Sequence, residues 1–222
     1  MSKSFAGENA PQQSTQSAQA AQAAQAAQAR KSTWRVVDIV VVSVLGVALG
    51  VIFWLWSAGY GLTSAITVAF PPLGALYGGG WLIAGVLGGL VIRKPGAALY
   101  CELIAAMVEG LLGTHFGFTV LLSGLVQGLG AELGFALFRY RKFNLTVALI
   151  SGALAGLALG INDSLVWNVE WAMQWKLVYV VLAMISGAVI AGLVSWLAVR
   201  GLARTGALAN LPSRGAATER AV

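Results

Sequence analysis

Cysteine and histidine each occur once in this 222-residue chain, as Cys101 and His115. A lone cysteine excludes an intrachain disulfide and any multi-cysteine metal site. A lone histidine excludes a histidine-cluster metal centre. Cys101 lies in an apolar run, where a thiol serves as a small buried hydrophobe. Charge is scarce too: 10% of the residues are Asp, Glu, Lys or Arg, against about 25% in soluble domains. No glycine-rich phosphate loop is present, so the chain cannot hydrolyse ATP alone. No Ser/His/Asp set has credible geometry, because the single histidine falls between apolar runs. The expectation is no enzymatic activity and no cofactor.

What fills the chain is apolar. Hydrophobic residues make up 58% and the mean hydropathy is +0.79. The fold class expected is an all-α polytopic membrane protein. The 28 glycines suit helices packed closely in lipid, where small residues let backbones approach. The formal net charge of +6 could suggest nucleic acid, but the basic residues flank apolar runs. Orientation in a bilayer explains them better, and no nucleic-acid partner is expected.

Residues 1–33 are low-complexity, with an AAQ triplet repeat. They offer no apolar face to bury and read as a disordered or marginally helical tail. Six spans follow at about 36–56, 73–92, 97–112, 118–138, 145–161 and 177–199, within a membrane domain of 34–204. Each approaches the ~20 residues needed to cross ~30 Å of hydrocarbon. Residues 57–72 read as an outer loop with a turn at Gly59-Tyr60-Gly61, and 205–222 as a polar tail. Six spans put both termini on one side. Arg30, Lys31, Arg35, Arg93, Lys94, Arg139, Arg141, Lys142, Arg200 and Arg204 fall on that side; Lys176, His115, Asp163 and Glu170 fall opposite. By the positive-inside rule the termini are cytoplasmic.

The third span carries two carboxylates, Glu102 and Glu109. Seven residues apart, they share a helix face and stand about 10 Å apart along its axis. Ionisable groups in a membrane helix cost about 2.5–3.5 kcal/mol on insertion scales and mark sites or pathways. The fourth span adds Gln127 near mid-depth and Glu132 nearer the cytoplasm. At the outer face, Tyr60, His115, Asn162, Asp163, Trp167 and Trp171 gather. Carboxylates, an amide and aromatic rings suit a small, flat, partly cationic ligand: rings stack on a heterocycle and attract a cation, and a carboxylate accepts from a ring amine. The bland readings stand beside these. The tryptophans can be interface belt residues, Asn162 and Asp163 can cap a helix, and Glu132 can be satisfied by a neighbouring helix. Gly46 and Gly50 form a GxxxG on the first span, a flat face for another helix.

Three stretches carry a resemblance: KPGAALYCELIAAMVEGLLG at 94–113, LLSGLVQGLGAELGFALFRYRKFN at 121–144, and the opening span. They resemble the YkoE-type substrate-binding (S) component of energy-coupling factor transporters, linked to hydroxymethylpyrimidine and thiamin uptake. The resemblance implies a six-helix vitamin-capturing subunit in a prokaryotic plasma membrane. It would dock on a transmembrane coupling protein served by ATPase subunits. Such components dock through small residues on the first helix, the place that Gly46 and Gly50 hold here. The expected roles are Glu109 as acceptor from the aminopyrimidine, Trp167 or Trp171 with Tyr60 as stacking rings, and His115, Asn162 and Gln127 as secondary hydrogen-bonding groups. The alternatives are an ion-coupled secondary transporter with Glu102, Glu109 and Glu132 as its relay, and an assembly subunit without a ligand.

Overall fold

The computed structural model describes residues 33–63 and 67–220. Apart from Thr33, the Ala/Gln-rich tail lies outside them. Among the described residues the structure is helical, without strands. Helix α1 is Val36–Gly59. The second span is a chain of short pieces: a 3-10 turn at Pro71–Gly74, α2 at Ala75–Gly78, a 3-10 turn at Gly79–Leu82, and α3 at Ile83–Ile92. Then come α4 at Ala97–Leu112, α5 at Thr119–Leu137 and α6 at Leu145–Val166. The last span joins α7 (Met173–Ser186) to α8 (Val194–Arg204) through a π-helical turn at Gly187–Leu193.

Five of these spans are long and apolar enough to cross a membrane. The sixth, α4, has 16 residues, about 24 Å at 1.5 Å per residue. It stands inside the bundle, touching α1, α3 and α5. The packing runs α1 on α4, α4 on α5, α5 on α6, and α6 on the last span, with the second span filling the middle. In its most apolar stretch the second span is 78% buried, the first and last only 33%. The second span is therefore the core, and the outer faces of the first and last are apolar and uncovered.

Two expectations about the first turn region need correcting. The first span does not stop at Trp56: α1 continues to Gly59 and passes into a 3-10 turn at Tyr60–Thr63. Pro71 and Pro72 open the second span rather than only closing a loop. Proline suits a first helical turn, where its missing N–H would have no partner anyway.

The broken second span stays viable in lipid because its backbone is satisfied from neighbours. The Ser186 hydroxyl accepts from Gly79 N at 3.1 Å and donates to Leu76 O at 2.6 Å. Trp56 and Tyr77 stack at 4.3 Å, and each donates to the other's main-chain carbonyl. Gly80 must be glycine here, since a Cβ would lie 2.3 Å from the Trp56 indole.

The paired small residues also pack inward. Gly124 and Gly128 admit Ala106, Leu99 and Glu102 of α4, while Gly130 and Gly134 admit Leu154, Ala155 and Ser151 of α6. Gly46 and Gly50 were expected on a docking face for a partner. Both are buried against α4, where a Cβ would meet Ile104 at 2.8 Å and Ala105 O at 2.6 Å. Their flat groove is filled by the chain's own two-glutamate helix.

At the end carrying the termini, Asp38 is wholly buried, bonded to Arg35 at 2.9 Å and to Lys94. This ties the start of α1 to the end of the second span. The polar segment after α8 folds back over the same end. Leu208, Leu211 and Ala216 are buried, Ser213 donates to Val91 O at 2.8 Å, and Arg93 holds the Glu219 carboxylate through two bonds of 2.6 and 2.7 Å.

Candidate functional site

At the opposite end, the interrupted second span leaves room beside α4 and α5. A cavity of about 300 Å³ opens there. Its floor is Glu102, Ala106, Gly124 and Gln127; one wall is Glu109 with Trp81 and Phe53; the other is Asp163, Leu159 and Tyr179; and the mouth carries Tyr60, Phe116, Thr119, Trp167 and Asn168. This is a volume at the lower end of the ~300–1,000 Å³ typical of small-molecule pockets.

The three carboxylates are held differently. Glu109, at the start of the last turn of α4, is 2% exposed and accepts from the Ser57 hydroxyl. That hydroxyl in turn accepts from the Trp81 indole N–H at 3.0 Å. Ser57 is presented because α1 continues past Trp56, and Trp81 because the 3-10 turn redirects the second span. Glu102, 1% exposed, accepts from Gly85 N through Oε2. Gly85 lies in the first turn of α3, where backbone N–H groups have no partner within the helix. The break in the second span thus supplies the donor that keeps Glu102 satisfied in the interior. Asp163 accepts from Tyr179 Oη at 2.8 Å and Asn162 Nδ2 at 3.2 Å.

Gln127 is 6% exposed, lines the floor, and has no hydrogen bond to its amide among the described residues. Above it the rings form one continuous cluster. Trp81, Tyr60 and Trp167 each meet Phe116 with centroids 5.5–5.7 Å apart, and Tyr60 meets Trp81 at 5.8 Å. Edge-on and tilted contacts of this kind are worth roughly 0.5–1.5 kcal/mol each beyond burial. They hold the mouth as a rigid aromatic surface.

Of the residues singled out from sequence, Tyr60, Glu102, Glu109, Gln127, Asp163 and Trp167 come together on the cavity. Four stand elsewhere. His115 is exposed and stacks on the outer side of Tyr60 at 5.8 Å. Asn162 lies behind the wall, bridging Ser123 Oγ at 3.1 Å to Asp163. Trp171 packs edge-on against Tyr179 at 5.8 Å. Glu132 is at the other end of the bundle. It accepts from Gly96 N, Ala98 N and Leu99 N at 2.6, 2.9 and 3.2 Å and from Tyr140 Oη at 2.8 Å. It caps the N-terminus of α4, where free N–H groups and the helix dipole favour an anion. Burial, then the Glu132 carboxylate, push the Tyr140 phenol above its usual range.

Sequence reading missed Trp81, Phe116 and Tyr179 as cavity residues, and Ser57 as the group that holds Glu109 in place. One signal was available. Trp81 sits about eleven residues from the end of its span, too deep for an interface belt, and directly follows a glycine run.

Comparison with known proteins agrees with this architecture. The family model described as ABC-type cobalt transport system, permease component, matches residues 37–158. YkoE of Bacillus subtilis (strain 168), named as an HMP/thiamine permease protein, is 35% identical over 179 residues, covering 79% of this chain and 88% of that protein. A crystal structure of an S-component of an ECF transporter superposes with a TM-score of 0.69 at 33% identity, covering 81% of this chain and 91% of that one. The chain is a membrane protein that belongs to the YkoE family of S components of energy-coupling factor transporters.

Proposed function

We propose that this S component captures a thiamin-type pyrimidine, either thiamin or its hydroxymethylpyrimidine precursor, from the side opposite its termini. The termini are cytoplasmic, as the basic residues at that end require under the positive-inside rule. The subunit delivers its ligand by associating with a transmembrane coupling protein and ATPase subunits, since it has no nucleotide site of its own. The relative's name supplies the ligand class.

The observation that carries the reading is Glu109 beneath a rigid aromatic mouth. Its carboxylate is oriented by Ser57 and Trp81 and lines a cavity sized for a small ring compound. A carboxylate accepts a charge-assisted bond from a ring amine, and Trp81, Phe116 and Trp167 offer faces and edges to the ring. The relay of an ion-coupled transporter finds no such support. Glu132 caps α4 at the far end from the cavity, and Glu102 is engaged with Gly85.

Thermal-shift titration of the purified protein tests this reading. Thiamin or the free pyrimidine should raise the melting temperature in a concentration-dependent way, because a ligand that binds only the folded state stabilises it by mass action. No shift with either would remove the proposed ligand.

A further inference from the structure

The cavity lining has three carboxylates, Glu102, Glu109 and Asp163, and no lysine, arginine or histidine. Their helices approach from two sides: α4 carries Glu102 and Glu109, α6 carries Asp163, and both pack on α5. The nearest basic groups on this end are engaged elsewhere, His115 on Tyr60 outside the mouth and Lys176 on the carbonyl of Val169. The acidic cluster does not stand alone as a sign of a ligand. Gln127, more than nine-tenths buried, lines the same cavity, and its side-chain amide has no hydrogen bond among the described residues. An amide can accept from or donate to a neutral ring edge. The carboxylates can only accept while ionised, and they favour positive charge.

We propose that this cavity selects by charge, taking a ring cation that bears no phosphate, with Asp163 as the residue that sets this preference. The inference rests on the proposed thiamin-type ligand and divides that class. Thiamin carries a fixed positive charge on its thiazolium ring; the free hydroxymethylpyrimidine does not; thiamin monophosphate adds negative charge. Glu109 and the aromatic mouth serve the pyrimidine ring common to all three. Asp163, on the opposite wall, meets the part of the ligand that the free pyrimidine lacks. Its two bonds from Tyr179 and Asn162 hold it in place without neutralising it. A phosphate in a space whose only charge-bearing acidic or basic lining groups are carboxylates meets like charge with little water to screen it.

Calorimetric titration of the full-length protein in detergent with thiamin, thiamin monophosphate and the free pyrimidine tests this. Thiamin should bind about tenfold or more tighter than either of the others, the scale of one charge-assisted bond. Asp163→Asn keeps the shape of the side chain and should collapse the thiamin-to-pyrimidine ratio toward one, by weakening thiamin much more than the free pyrimidine. Glu109→Gln should weaken both ligands and keep the ratio. Thiamin binding tightly with the monophosphate within about threefold of it would overturn the charge selection and leave the ligand class standing. An unchanged ratio in folded Asp163→Asn would likewise overturn it. Absence of binding by all three would overturn both readings together.

Discussion

The hydroxyl of Ser57 donates to the carboxylate of Glu109 and itself accepts from the indole of Trp81. One residue of the first span thereby fixes the acid of the third span against the ring of the second. Ser57→Ala would remove the link and leave Glu109 and Trp81 to reorient separately. The expected result is a thiamin affinity lower by roughly three- to tenfold, the scale of one hydrogen bond, with the fold retained. Competition binding on the purified variant, alongside its melting curve, checks it.

Glu132 performs a structural task at the other end of the bundle. With three backbone donors and the Tyr140 hydroxyl on one carboxylate, Glu132→Gln must turn an amide N–H toward at least one backbone N–H, which can only donate. We expect a stability loss of about 1–3 kcal/mol, read as a lower melting temperature, and thiamin affinity within about threefold of wild type. A variant that melts normally but binds poorly would move Glu132 into the ligand pathway.

Gly50 presses on the backbone of α4, where an added Cβ would lie 2.6 Å from Ala105 O and from Val108 Cβ. Gly50→Leu should therefore unseat α4, costing about 1–3 kcal/mol or more through overpacking, and reduce stability and ligand binding together. Loss of coupling-protein association alone, with normal melting and normal binding, would restore a docking role to the Gly46/Gly50 pair.

Orientation is tested with single cysteines in a Cys101→Ala background. Gly61 and Glu170 lie at the cavity end, and Lys142 lies at the end of the termini; all three are exposed. An impermeant thiol reagent added to intact cells should label positions 61 and 170 and spare 142. Labelling of 142, or protection of both others, would invert the proposed topology.

The spans were legible because hydropathy and basic flanks mark them independently. The turns at 93–96 and 113–118 fall where Arg93-Lys94-Pro95-Gly96 and Gly113 put them. Glu109, Asp163, Tyr60 and Trp167, which line the cavity, were legible as candidates because polar and aromatic groups near one membrane face stand out against an apolar background. Ser57 and Trp81 were not. Their places depend on α1 running past Trp56 and on the second span breaking at Gly79–Leu82, and a run such as GYG reads locally as a turn. The inward facing of Gly46 and Gly50 was hidden too, since a small-residue pair has the same pattern whether it meets its own chain or another. The packed segment at 205–220 lacks helical periodicity. Its attachment rests on Ser213 and Glu219 reaching Val91 and Arg93, a pairing of positions more than a hundred residues apart.

The central claim is that Glu109 receives the aminopyrimidine ring. Glu109→Gln keeps the shape of the side chain, removes its charge and replaces one acceptor oxygen by a donor. Calorimetric titration of this variant with thiamin and with the free pyrimidine is the most direct measurement. A hydrogen bond to a charged group is worth about 1.5–3 kcal/mol, so affinity for both ligands should fall roughly 10- to 150-fold. Wild-type affinity in a folded Glu109→Gln protein would contradict the assignment and place the ring elsewhere in the cavity.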